Sequence, residues 1–204
     1  MFVALIGATG VVGTPLTREL SSRGHRVTAI TTHPEDVLDL SGVTAVAGDA
    51  DDRETLPGLL AGHDVVISSV QFTKIDHDAL IESVKASGAP RYFVPGGAGT
   101  LFAPGTTTRL MDSPDYPEAA ALPAAAAATF FERLQREDEL NWTYLSPPPA
   151  IGPGERTGTF RIGRDEVLTR PDGPPTISFD DYAIAIVDEL ENPSLVRQRF
   201  TVGY

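Results

Sequence analysis

Gly7-Ala8-Thr9-Gly10-Val11-Val12-Gly13 stands directly after the apolar run Phe2-Val3-Ala4-Leu5-Ile6 and directly before the amphipathic stretch from Pro15 to Arg23. A short apolar run, glycines at every third position and a helical period read as strand, tight turn and helix. Glycine permits the turn, removes the Cβ that would hold a phosphate away from the backbone, and lets helix and strand pack closely. The first N–H groups of the helix lack intrahelical partners and sit at the positive end of its dipole, which suits a pyrophosphate. The spacing alone is a weak signal; its place between strand and helix gives it weight. The competing reading is an ordinary glycine turn in a flavodoxin-like sheet.

Outward from this loop, short Val- and Ile-rich runs alternate with longer helical segments, the pattern of a parallel sheet wrapped by helices. The runs predict strands at 2–6, 26–30, 43–47, 64–68, 91–94 and 142–146, with Arg199-Phe200-Thr201-Val202 as a closing strand. The helical segments are 12–23, 53–61, 74–87, 118–139 and 179–191, the last with Ser178 or Asp180 as its cap. The expected architecture is one α/β domain over residues 1–204. It is a Rossmann fold, with a doubly wound, mostly parallel sheet, helices on both faces and a small C-terminal portion on the substrate side. Two stretches break the alternation. Gly96 to Pro117 is long and rich in Gly, Pro and Thr, so a lid over the site is expected there. Pro147-Pro148-Pro149 follows a strand and cannot continue it, so the chain must leave the sheet.

A formal net charge of -12 disfavours nucleic acid and anionic membrane surfaces as partners. No run approaches the roughly 20 apolar residues of a membrane span, and Met1 to Ile6 does not resemble an export leader. A cytoplasmic protein, monomeric or homodimeric, acting on a small molecule is therefore expected. The chain has no cysteine, which excludes disulfides, thiolate metal sites and a cysteine nucleophile. The 4 histidines form no ligand cluster in the sequence, so no metal site is expected; Asp76-His77-Asp78 reads as a solvated helix face.

The Gly-Ala-Thr-Gly-Val-Val-Gly loop resembles the opening of the atypical short-chain dehydrogenase/reductases. Further stretches narrow the resemblance: Val94-Pro95-Gly96-Gly97-Ala98-Gly99, Leu110-Met111-Asp112-Ser113, Ser146-Pro147-Pro148-Pro149, Arg156-Thr157-Gly158-Thr159-Phe160-Arg161 and Ile177-Ser178-Phe179-Asp180-Asp181-Tyr182-Ala183. These are similar to small NAD(P)H-binding proteins described as NADH-flavin reductases, relatives of biliverdin reductase B and of NmrA-like proteins. The similarity covers essentially the whole chain.

The resemblance implies a set of cofactor contacts. Gly7, Thr9, Gly10, Val11, Val12 and Gly13 would hold the diphosphate. Thr31, Thr32 and His33, at the end of the second strand, would meet the adenosine ribose. Asp49 and Ala50 would hold the adenine, Ser68, Ser69 and Val70 the ribose and diphosphate, and Ser146 and Pro147 the nicotinamide. The ribose edge has neither the carboxylate that marks NAD nor the Arg that pairs with the 2'-phosphate of NADP. Its hydroxyls and His33 tilt the expectation slightly towards NADP.

Carbonyl-reducing members of the superfamily use a Tyr-x-x-x-Lys pair. Two of the 16 basic residues are lysines, Lys74 and Lys85, and neither stands four after a tyrosine. Gly96 and Gly97 occupy the neighbourhood of the usual carbonyl-polarising serine. A conjugated acceptor such as a flavin tolerates this loss, because it delocalises the incoming electrons and takes its proton from solvent. An NAD(P)H-dependent oxidoreductase with a flavin-like acceptor as substrate is expected. Phe72, Gly97, Phe102, Arg109 and Tyr116 are the candidate acceptor contacts. The alternatives are a non-catalytic NAD(P)-binding redox sensor of NmrA-like type and a nucleotide-sugar epimerase or dehydratase relative.

Overall fold

The computed structural model describes residues 1–170 and 173–204. The strands are β1 (Phe2–Ile6), β2 (Arg26–Thr31), β3 (Val43–Ala47), β4 (Val65–Ser68), β5 (Tyr92–Pro95), β6 (Trp142–Ser146), β7 (Ala150–Gly152), β8 (Arg161–Gly163), β9 (Thr176–Ser178) and β10 (Gln198–Gly203). The helices are α1 (Gly13–Ser22), α2 (Leu56–Leu60), α3 (His77–Ser87), α4 (Glu118–Gln135) and α5 (Phe179–Glu191). The main sheet has 8 strands in the order β3-β2-β1-β4-β5-β6-β10-β8. All its pairings are parallel except that of β10 with the edge strand β8. The first six positions are the doubly wound order in which a dinucleotide site forms between β1 and β4, where the direction of winding reverses. The fold is the Rossmann fold that the sequence predicts.

Both faces of the sheet are buried, and the alternation along each strand sorts residues between two cores. Val3 and Leu5 join Val65, Ile67 and Phe93 in one core, beneath α1 and α5. Ala4 and Ile6 join Val66, Tyr92, Val94 and Tyr144 in the other, beneath α2, α3 and α4. A strand buried on both sides has no polar face to show, which is why these runs are continuously apolar. The single tryptophan, Trp142, lies in the second core, edge-on to Phe131 at 6.2 Å, and its indole N–H donates to the Glu137 carbonyl at 3.2 Å.

Helix ends follow local chemistry. Ser178 caps α5 by accepting from the Asp181 N–H at 3.0 Å. Asp76 does the same for α3 through the Ala79 N–H, so that helix starts at His77 and not at 74, behind a 3-10 turn at Phe72–Lys74. The predicted helix at 53–61 shortens to α2 because the Asp52 carboxylate takes the N–H groups of Glu54 and Thr55, each at 3.0 Å. α4 ends at Gln135 and not at 139; just beyond it the Glu137 carboxylate accepts the Glu139 N–H at 2.9 Å.

After Ser146 the prolines turn the chain out of the main sheet, and β7 pairs with β9 in a separate parallel ribbon with Ile151 opposite Ile177. β7, β8 and β9 have three residues each, too short to give a period in the sequence. The Gly96–Pro117 stretch, expected as a lid, is stitched down in its middle. The Phe102 N–H donates to Asp165 and the Val167 N–H to Phe102, at 2.8 and 3.0 Å. The buried Arg199 donates to the carbonyl and hydroxyl of Thr100, both at 2.9 Å, and to Asp165 at 2.6 Å. Among the described residues, no helix is long and apolar enough to cross a membrane.

The Arg156–Arg161 stretch is held by two buried carboxylates. Glu19 of α1 takes both Arg23 and Arg156 at 2.8 Å. Asp181 of α5 accepts from the Thr157 hydroxyl at 2.6 Å, the Gly158 N–H at 2.8 Å and the Tyr204 hydroxyl at 2.6 Å. Burial alone would raise the Asp181 pKa, but these hydrogen bonds outweigh it and hold the group below the usual carboxylate value. The motif pins the C-terminal portion onto α1 and α5.

Candidate functional site

The glycine loop is shaped by contacts that leave no room for side chains. Gly7 has φ +79°, and a Cβ there would stand 2.1 Å from the Ser69 carbonyl oxygen. At Gly13 a Cβ would stand 2.1 Å from the Gly7 carbonyl oxygen, so that glycine lets the start of α1 lie against the end of β1. Gly10 is the looser position, with a Cβ 3.3 Å from the Gly7 oxygen. Among the described residues no side chain caps α1, and its first turn holds no acidic residue. Among the described residues the N–H groups of Val11, Val12 and Gly13 find no hydrogen-bond partner, while the Thr14 N–H returns to the Gly10 carbonyl at 2.9 Å. Three unspent donors at a helix N-terminus, with open backbone at Gly10, fit a diphosphate.

These groups open on a cavity of about 550 Å³. Of the residues singled out in the sequence, Thr9, Gly10, Val11, Val12, Ser69, Val70 and Pro147 line it, as do Phe72, Gly97 and Tyr116. Gly7 and Gly13 lie behind the wall as packing glycines. Ser68 is fully buried and spends its hydroxyl on Tyr92 at 2.7 Å. Ser146 is also fully buried and does not line the cavity; its hydroxyl has no partner among the described residues.

The ribose edge lies outside this cavity. Thr31 is buried, with its hydroxyl 3.0 Å from that of Thr9 and accepting the His33 N–H at 3.2 Å, which ties the end of β2 to the glycine loop. Thr32 is exposed, and His33 Nδ1 lies 3.4 Å from a Glu35 carboxylate oxygen. Asp49 is exposed and accepts the Asp51 N–H at 3.0 Å, while Ala50 is buried against Leu56 and Leu60.

Two expected acceptor contacts stand elsewhere. Phe102 packs within 5.9 Å of the Arg199 guanidinium and bridges to Glu166, so the stitched loop holds it off the wall. Arg109 forks onto Asp112 at 2.7 and 3.0 Å and reaches Glu132 at 3.5 Å. Neither lines the cavity.

The far wall contains residues that the sequence did not single out. Ala120, Ala124 and Ala127 of α4, spaced by four and three, bring one helix face against the glycines after β5. A Cβ on Gly97 would meet the Ala127 methyl at 2.7 Å, and one on Gly99 the Ala124 methyl at 2.7 Å. Gly96 lies under the Tyr144 ring, 2.1 Å from where a Cβ would stand, and the Tyr144 hydroxyl accepts the Gly97 N–H at 2.9 Å. Burial pushes the Tyr144 hydroxyl up to about 12. Tyr182 also reaches the wall, but donates to the Leu145 carbonyl at 2.6 Å and has its pKa raised by burial. Neither phenol can act as a base near neutral pH. The alanine spacing is readable in the sequence once Gly96–Gly99 is known to face it; low complexity conceals it.

Several proteins match this chain over nearly its full length. The NAD(P)H-binding family profile matches residues 7–193. A Bacillus subtilis protein, YwnB, itself uncharacterized, is 35% identical over 209 residues, 99% of this chain and 98% of its own length. A candidate epimerase from Bacteroides thetaiotaomicron has a TM-score of 0.91 at 36% identity, covering 100% of this chain and 96% of the other. A candidate NADH-flavin reductase from Streptococcus pneumoniae has a TM-score of 0.87 at 33% identity, covering 100% and 99%. With its unspent amides at Val11 to Gly13 and a profile match over nearly its full length, the chain belongs to the NAD(P)H-binding family.

Proposed function

We propose that the protein is an NAD(P)H-dependent oxidoreductase that passes hydride to a flavin-like or other conjugated acceptor. The observation that carries this reading is the cavity itself. The uncapped start of α1 opens into the same space as a wall of glycine and alanine, with no Tyr-x-x-x-Lys pair anywhere in the chain. When bound, the dinucleotide supplies the hydride. The chain's residues hold the diphosphate at Val11 to Gly13, offer a narrow slot along Gly97, and exclude water with Phe72, Pro123 and Ile151. Hydride transfer needs donor and acceptor held about 3–3.5 Å apart and little else when the acceptor stabilises its own charge. The likeness to a candidate NADH-flavin reductase supports the same acceptor class.

At the ribose edge the balance supports NAD rather than the slight NADP preference expected from the sequence. The Thr31 hydroxyl is bonded to the Thr9 hydroxyl and to the His33 N–H, His33 already faces Glu35, and Asp36 is exposed on the same turn. A 2'-phosphate would meet carboxylates without an Arg to offset them.

Anaerobic mixing of the protein with NADH or NADPH and a panel of flavins and quinones tests the proposal. Loss of the reduced dinucleotide's absorbance only when an acceptor is present is the expected result. Binding without acceptor-dependent loss across the panel would sink the enzyme reading and favour a redox sensor. Gly10→Asp is the companion variant. It places a carboxylate against the diphosphate where the backbone has some room, so it abolishes nucleotide binding by calorimetry while the circular dichroism spectrum keeps its shape.

A further inference from the structure

The end of the cavity away from the glycine loop is walled by Gly97, Tyr116, Ala120, Pro123, Ala124 and Ala127. Among the described residues, no Lys, Arg, His, Asp or Glu lines any part of the cavity. Two of the nearby cations, both arginines, are already committed. Arg109 is shared by Asp112 and Glu132, and Arg133 of α4 is held by Asp78 at 2.7 Å. Lys74 follows Thr73 in the chain but is exposed and not part of the wall. The exposed carboxylates Asp115 and Glu118 flank Tyr116 in the sequence. The Tyr116 hydroxyl has no partner among the described residues and lies 3.4 Å from where a Gly99 Cβ would stand.

Resting on the hydride-transfer reading above, we infer that this end selects an uncharged planar ring and rejects one that carries a phosphate. It would take a riboflavin-like ring or a quinone, and discriminate against FMN. A phosphate brought to this end would lose water without gaining a cation from the wall, beside exposed carboxylates on a chain of net charge -12. A neutral ring loses nothing comparable. Its faces lie against glycine and alanine, and a ring carbonyl can accept from the Tyr116 hydroxyl, the one phenol of the wall not already bonded to backbone. In the reaction the ring takes up a hydride, with its two electrons, at the expense of the reduced dinucleotide, and one proton from water.

Riboflavin and FMN share the ring and differ by the phosphate, so steady-state rates with each under saturating NAD(P)H isolate the effect. The kcat/KM for riboflavin should exceed that for FMN by about tenfold or more at low salt, with the gap narrowing as salt screens the acidic rim. Ala120→Arg, which puts a cation on the wall, should raise the FMN-to-riboflavin ratio by about fivefold or more. Equal efficiencies in the wild type would overturn the inference while leaving hydride transfer standing. An unchanged ratio in a folded Ala120→Arg variant would overturn the placement of the acceptor against α4. Reduction of neither flavin nor any quinone by protein that binds the dinucleotide would overturn both readings.

Discussion

The two ends of the cavity are built from small residues for opposite reasons. At the nucleotide end, glycines occur because main chain meets main chain: Gly7 against Ser69 and Gly13 against Gly7. At the acceptor end, Gly97 and Gly99 occur because a helix lies on them, with alanine methyls as the contact. The first kind of constraint is rigid, since a backbone oxygen cannot rotate away. The second is adjustable, because a helix can shift by a fraction of an ångström at modest cost. The difference sets a rigid main-chain turn and a more adjustable helix wall around one cavity.

Substituting the same methyl at each end breaks or sharpens this contrast. Gly7→Ala has the largest expected effect. Its φ of +79° is one that side chains rarely adopt, and its new Cβ meets a carbonyl oxygen at 2.1 Å. A stability loss of about 3 kcal/mol or more, with nucleotide binding lost, is expected by chemical denaturation and calorimetry. Gly97→Ala should cost less, about 1–2 kcal/mol, as α4 gives way. It should raise KM for the acceptor while leaving dinucleotide affinity near the wild-type value. Equal losses of nucleotide affinity in the two variants would show that the ends are not independent. The smallest effect is expected at the ribose edge. Thr32→Arg supplies the missing cation at an exposed position, and should tighten NADPH about tenfold, roughly 1.4 kcal/mol, with little change for NADH. Tighter NADPH than NADH in the unaltered protein would refute the reading of the Glu35 and Asp36 side of that edge.

The same contrast explains what could be read in the sequence. The glycine loop depends on neighbours close in the chain, so Gly7, Gly10 and Gly13 announce it, and doubly buried strands such as Val65–Ser68 stand out by being apolar throughout. Phe102 and Arg109 were expected at the acceptor, yet the hydrogen bonds to Asp165 and the fork onto Asp112 fix them elsewhere. Asp165 reaches Phe102 only after folding brings the 164–167 segment to the loop, whereas Asp112 stands three residues from Arg109 and was open to reading in the sequence. Ala120, Ala124 and Ala127 are hidden in the sequence for the converse reason: a favourable helix composition masks a face that packs closely on the glycines. Arg156–Arg161 was visible as a motif, but its role needed Glu19 and Asp181, which lie 137 and 23 to 24 residues away in the chain.

Trp142 gives the acceptor end an optical signal of its own. Its neighbour Phe131 packs on Tyr144 at a 4.5 Å ring separation, and Tyr144 covers Gly96 at the cavity wall. The nucleotide end has no tryptophan. Emission from this one indole therefore follows movements of the α4 wall. With the oxidised dinucleotide, which does not absorb at the emission wavelength, a change in intensity or colour reports a settling of α4, and acceptor analogues that are likewise transparent there can be titrated by fluorescence without labelling the protein.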